Sequence, residues 1–146
     1  TQDQVSKILE KCEPAIQIYV CGPSPMMEMV KRMTSEKDLP ESMFHAEYFE
    51  NPNAIDLGGA FQVVLSRSDK VLDVPQGKSI LQVLQENGVV VPSSCEQGAC
   101  GTCLVRVLSG DPIHQDVYLT ESERRQGNWI ATCVSRSDSD ELVLDL

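Results

Sequence analysis

Within the run Cys95-Glu96-Gln97-Gly98-Ala99-Cys100-Gly101-Thr102-Cys103 the chain places three cysteines, and a fourth, Cys133, stands alone far downstream. A chain that uses these four thiols together must fold so that a distant segment closes over one loop. The spacing is C-x4-C-x2-C plus one distant cysteine, the arrangement of thiolates around a two-iron, two-sulfide cluster. Such a group carries net negative charge, and reduction adds more. The surrounding backbone must therefore turn N–H groups toward the sulfurs. Gly98 and Gly101 give the loop left-handed backbone freedom, and the small Ala99 and Thr102 allow close approach.

Two other uses of cysteine fit less well. Structural zinc takes paired C-x2-4-C knuckles, and only Cys100 and Cys103 form one. A disulfide framework suits short secreted chains, and no signal-type N-terminus is visible. Cys12 and Cys21 lie outside the motif. Cys12, on the apolar face of a short helix, reads as a buried thiol.

The chain has 146 residues, enough for one domain, or for one small domain and a fragment of another. No apolar run is long enough to cross a membrane. The net charge of −10 disfavours nucleic acid and anionic lipid and permits docking to a basic protein.

Val5, Ile8, Leu9 and Cys12 recur at helical spacing before Pro14. Residues 15–20 form a near-continuous apolar run, as in a parallel strand buried on both faces. Cys21-Gly22-Pro23 breaks it. Ser24 is then expected to cap a helix with Pro25 at its first position, continuing over Met26, Met27, Met29 and Met33 as core. Phe44, Ala46 and Tyr48 alternate like a further strand. Residues 1–50 thus read as αβαβ, the end of an α/β domain, and 51–60, with Asn51-Pro52-Asn53 and Gly58-Gly59, as a linker. From 61 to 146 the pattern changes. Phe61, Val63 and Leu65 alternate, and Val71 and Leu72 resume after a polar turn, giving a hairpin. Ser79 to Gln82 and Thr120 to Glu123 are capping boxes. Leu104, Arg106 and Leu108 alternate against Cys103, Val105 and Val107 in a strand ending at Gly110, and residues 129–134 and 142–146 read as late strands. His45 and His114 form no ligand pair and read as structural, and Asp138, Asp140 and Glu141 as a solvated turn.

Two strands, a helix, a cysteine loop and further strands give the element order of the β-grasp ferredoxin fold. Residues 56–146 resemble a plant-type 2Fe–2S ferredoxin domain. Residues 15–50 resemble the C-terminal end of a ferredoxin-reductase-type NAD domain, through Val20-Cys21-Gly22-Pro23 and His45-Ala46-Glu47-Tyr48-Phe49. That order is similar to the phthalate dioxygenase reductase and vanillate O-demethylase reductase group. The fold class expected is α+β, a β-grasp ferredoxin domain preceded by the remnant of an α/β NAD domain. The resemblance implies that Cys95, Cys100, Cys103 and Cys133 hold the cluster. It places Cys21, Gly22 and Pro23 near a nicotinamide and Phe49 near a flavin ring.

The function so implied is electron transfer from NADH through FMN and the cluster to a Rieske-type oxygenase, in the cytoplasm. The alternative is a stand-alone ferredoxin. No glycine-rich phosphate turn precedes Cys21, so this chain alone is expected not to oxidise NADH, and its flavin and NAD portions to precede Thr1. The strand at 16–20 is then expected to stand without sheet neighbours. The loop surface at Glu96 and Gln97 is the expected contact for the electron acceptor.

Overall fold

The computed structural model describes residues 2–10 and 17–146. Cys12, Pro14 and the start of the first apolar run lie outside the described residues. The chain divides into two compact units, Thr1–Phe49 and Glu50–Leu146. None of the described helices is long and apolar enough to cross a membrane.

The first unit opens with α1 (Gln2–Leu9), which buries Leu9 but leaves Ile8 exposed. β1 (Ile18–Cys21) follows, then α2 (Ser24–Ser35), a 3-10 turn at Glu41–Met43, and β2 (Phe44–Glu47). β1 and β2 are parallel, with Ile18 opposite Phe44 and Cys21 opposite Glu47. The strand expected to lack neighbours therefore has one. Among the described residues of the unit, the expected cover on both faces is not found. Ile18 and Val20 are half-buried and Tyr19 and Cys21 exposed, because the structure packs α2 against one face only. Tyr19 stacks on His45 with ring centroids 4.6 Å apart, and His45 Nε2 lies 2.6 Å from Gln17 Oε1. α2 is capped at Pro23 without a side-chain bond, so Ser24 is its first residue and not its cap. Of the methionine stripe, Met27 and Met33 enter the core with Val30, while Met26 is exposed and Met29 half-buried.

The second unit is built on β3 (Phe61–Leu65) and β4 (Lys70–Val74), followed by α3 (Ile80–Glu86) and β5 (Leu104–Ser109). β6 (Pro112–Ile113), α4 (Glu121–Gln126), β7 (Trp129–Ala131), β8 (Arg136–Ser137) and β9 (Glu141–Leu144) complete it. Five strands form one mixed sheet in the order β4-β3-β9-β5-β7, and β6 pairs with β8 separately. β3 and β9 run parallel at its centre, and the β3–β4, β9–β5 and β5–β7 pairs are antiparallel. The α+β class and the β-grasp order are those expected. The late strand at 129–134 is shorter, because residues after Ala131 turn away to carry Cys133. Glu141 opens β9 instead of belonging to the turn.

Alternation places the core. Phe61, Val63 and Leu65 on β3, Leu142 and Leu144 on β9, and Val105 and Val107 on β5 face inward. Ile80, Leu81, Val83 and Leu84 of α3 cover them. Each such fully buried side chain contributes about 1.5–3 kcal/mol relative to exposure. Arg136 is buried as well. It donates to the carbonyls of Lys78 and Gly59 and lies 4.7 Å over the Phe61 ring. Residues 51–60, expected as a linker, are tied to this unit. Asn51 donates to the Gln115 carbonyl, and Gln115 exchanges hydrogen bonds with both backbone groups of Asp56.

Ser79 caps α3 reciprocally. Its hydroxyl accepts from Gln82 N at 3.2 Å, and Gln82 Oε1 accepts from Ser79 N at 2.9 Å. Ser79→Ala removes one arm of this pair at a buried helix start, for an expected loss of about 1 kcal/mol. Urea denaturation should show a lower midpoint with unchanged slope. An unchanged midpoint would mean the cap adds nothing there.

Candidate metal centre

The loop 95–103 lies between α3 and β5, so its far end is fixed by the sheet. Cys103 is buried at the foot of β5, Cys95 is half-buried and Cys100 is exposed. Gly98 and Gly101 have φ of +74° and +70°, as the expected inward turning of the loop requires. Glu96 also takes a positive φ, +53°, which its residue type does not announce. Gln97 N donates to Cys95 Sγ at 3.4 Å.

Cys133 reaches the loop through Thr132. Thr132 N and Oγ1 both donate to the Cys103 carbonyl, at 3.3 and 2.9 Å, and the Thr132 carbonyl accepts from Leu81 N. This threonine is fully buried and pins the late strand to both the loop and the helix. Cys103 Sγ and Cys133 Sγ stand 3.1 Å apart. No sequence signal singles out Thr132 except its place before Cys133.

The thiols are electrostatically poised. The hydrogen bond from Cys133, opposed by burial and aided by Thr132, brings Cys103 down to about 6. That same hydrogen bond, with burial and the resulting thiolate, pushes Cys133 up, while Gly98 N–H works against the rise. A cation beside the pair would let both ionise. At Cys100, burial raises the value, but hydrogen bonds from Thr102 and Cys95 outweigh it and bring it to about 7. Among the described residues no three His, Cys, Asp or Glu side chains stand ready to hold one metal ion. The sulfurs come as two pairs, Cys95 with Cys100 and Cys103 with Cys133. Two pairs of thiols would meet the donor set of a two-iron group.

A second segment covers the loop. Val117 N donates to the Gly98 carbonyl at 2.9 Å. Asp116 Oδ2 accepts from Tyr118 N at 3.2 Å and Leu119 N at 2.8 Å. Arg124 of α4 donates to the Asp116 carbonyl. The Tyr118 ring lies where a Cβ on Gly101 would be, and Val134 and Asp116 crowd the Cβ position of Gly98. Burial raises the pKa of Asp116, but His114, Leu119 N and Arg124 together hold it below the usual carboxylate range. His114, read as structural from sequence, is part of this cover.

The first unit brings Cys21, Gly22 and Pro23 together in one turn between β1 and α2, at the C-terminal end of the parallel pair. Phe49 follows β2 at that same end and is exposed. Crevices outside the carboxyl ends of parallel strands are where α/β sheets take ligands. Cys21 is a free, exposed thiol.

Known proteins agree with this geometry. The vanillate O-demethylase oxidoreductase of Acinetobacter baylyi is 39% identical over the whole chain, which covers 46% of that relative. The phthalate dioxygenase reductase of Burkholderia cepacia is 43% identical over 95% of the chain, covering 42% of its length. A solved structure of phthalate dioxygenase reductase, described as modular and carrying electrons from pyridine nucleotides to [2Fe-2S], superposes with a TM-score of 0.68 at 41% identity. That match takes in 97% of this chain and 43% of the other. The chain therefore spans less than half the length of the curated relatives it matches. Residues 63–138 fit the model of the 2Fe-2S iron-sulfur cluster binding domain, which takes in Cys95, Cys100, Cys103 and Cys133 together, and to that family the chain belongs.

Proposed function

We propose that this chain is the electron-delivering part of an NADH-dependent, FMN-containing reductase serving a Rieske-type oxygenase. The observation that carries the reading is the pairing of the four thiols, Cys95 with Cys100 and Cys103 with Cys133, on one loop closed by Thr132. In this reading each pair holds one iron. A bound cluster supplies one-electron storage at low potential, on the order of −400 mV for all-cysteine ligation. The chain's own residues position and screen it. Gln97 N faces Cys95, Gly98 N–H faces Cys133, and the Val117–Leu119 segment keeps water from the buried pair. Cys100 stays exposed, so the route outward runs through it, with Glu96 and Gln97 as the acceptor's contact surface.

The first unit favours a reductase over a stand-alone ferredoxin, which has no need of a strand–turn–helix ending in Cys21-Gly22-Pro23. We assign that turn to the nicotinamide and Phe49 to the flavin ring of the intact protein. The oxygenase partner is inferred from the names of the relatives.

The experiment is purification of the chain under anaerobic conditions, with iron and sulfide analysis, followed by mixing of the reduced chain with an oxidised Rieske-type oxygenase. About two irons and two sulfides per chain are expected. The visible spectrum should be red-brown and bleach on reduction, and reoxidation should follow addition of the oxygenase. A colourless, zinc-containing chain would overturn the reading. So would a reduced chain that passes no electron to the oxygenase.

A further inference from the structure

We propose that His114 and Asp116 form a proton-accepting pair coupled to electron uptake, so that reducing the cluster draws a proton onto His114; this rests on the cluster reading above. The structure buries a titratable pair with its polar atoms left open. The His114 side chain is 9% exposed and that of Asp116 is 0% exposed. Among the described residues neither ring nitrogen of His114 has a partner within hydrogen-bond distance, nor does Asp116 Oδ1. Yet His114 Nδ1 and Asp116 Oδ1 face each other at 3.7 Å. Buried polar groups are ordinarily satisfied, and one that is not calls for a reason. A proton on His114 is a sufficient one. It turns a loose contact between two unsatisfied atoms into a charge-assisted hydrogen bond.

The pair lies one layer behind the sulfurs. Asp116 Cα is 3.0 Å from the Cβ position of Gly98, and the next residue, Val117, donates to the Gly98 carbonyl. Gly98 in turn presents its N–H to Cys133. A negative charge added at the sulfurs is therefore felt at His114 through low-dielectric protein instead of water.

The other charges nearby leave that field to decide. Arg124 of α4 stands 3.9 Å from Asp116 Oδ2 and opposes a second cation. Asp116 favours one. On α4, Glu123 is committed to the Thr120 cap. On β8, Arg136 is turned to the carbonyls of Lys78, Gly59 and Pro75. Gln115 is neutral and engaged with Asp56 and the Val134 carbonyl, and the Asp56 carboxylate accepts from Gly58 N. Arg124 and Asp116 offset each other in sign, so the change at the cluster sets the balance. The step is balanced. One electron from a one-electron donor enters the cluster, one proton from solvent binds the free ring nitrogen of His114, and no bond between heavy atoms changes.

Linkage fixes the sign. If reduction favours the protonated histidine, protonation favours reduction by the same factor. The midpoint potential then falls as pH rises across the ordinary imidazole range, by at most about 59 mV for each tenfold change in proton concentration.

The test is a potentiometric titration of the cluster-loaded chain from about pH 5.5 to about pH 9, spanning that range. The wild-type chain should show the fall, and His114→Gln and His114→Asn should flatten it. The chain has only two histidines, so His45→Gln is the control and should keep the wild-type slope. Reduction in weak buffer with a pH indicator should show proton uptake in the wild type without any substitution. A wild-type potential that does not move with pH overturns the proposal, as does a slope that survives both His114 variants or disappears with His45→Gln. A chain that loads a cluster but shows no pH dependence refutes this inference alone. A chain that loads none refutes the cluster reading beneath it.

Discussion

Cys133→Ser is expected to abolish the red-brown absorption of the chain, or to leave a cluster that bleaches within the time of purification, while Cys21→Ser leaves the spectrum as it was. Cys133 lies 3.1 Å from Cys103, and both are buried. A serine hydroxyl in its place is a harder, less easily ionised donor, held by Thr132 where it cannot withdraw to water. Loss of a partner that merely orients a ligand costs about 10–100-fold in metal affinity. Loss of a ligand itself should exceed that. Cys95→Ser and Cys103→Ser should behave like Cys133→Ser. Cys100→Ser, at the exposed corner, should give the mildest loss of the four. Cys21 lies outside the motif, on an exposed strand end of the first unit. Visible absorption and iron content of each variant check the set. A Cys133→Ser chain with the wild-type spectrum would remove Cys133 from the site.

The cysteine loop was legible because its chemistry is local. Three cysteines share nine residues, and the glycines that turn the backbone are among them. The β-grasp order was legible for a similar reason, since alternation at Phe61, Val63 and Leu65 and the capping boxes at Ser79 and Thr120 each act over a few positions. What the sequence did not disclose is what depends on distant packing. Thr132 looks like any buried threonine until its two donors are seen on the Cys103 carbonyl. Asp116 and His114 lie in a stretch of little periodicity, and only the fold shows that this stretch lies on Gly98. Arg136 carries no sequence signal, yet it is buried under three carbonyls, because residues 59 and 75–78 converge there. In the first unit, the apolar run ending at Val20 predicts cover on both faces. Among the described residues α2 supplies one.

Gly98→Ala is expected to destabilise the second unit by about 2–5 kcal/mol, combining left-handed backbone cost with overpacking. Its φ of +74° alone costs a residue with a side chain about 1–2 kcal/mol. The added methyl would then lie 2.6 Å from Val134 Cγ2 and 3.0 Å from Asp116 Cα. Neither neighbour gives way cheaply. Val134 is fully buried, and Asp116 is held through its carboxylate by Tyr118 N and Leu119 N and through its carbonyl by Arg124. The loop must move instead, and it carries the N–H that faces Cys133. Two other glycines separate the causes. Gly88 has a φ of +73° with nothing within 4 Å of its Cβ position, so Gly88→Ala bears only the backbone cost. Gly101→Ala meets the Tyr118 ring at 2.4 Å, but that ring is 52% exposed and is free to swing outward. The expected order of loss is Gly98, then Gly101, then Gly88, read from urea titrations of the cluster absorption. Gly98→Ala should also release its iron fastest. Equal losses for Gly98→Ala and Gly88→Ala would show that the Asp116–Leu119 cover does not press on the loop, and that it is the backbone angle alone that calls for glycine there.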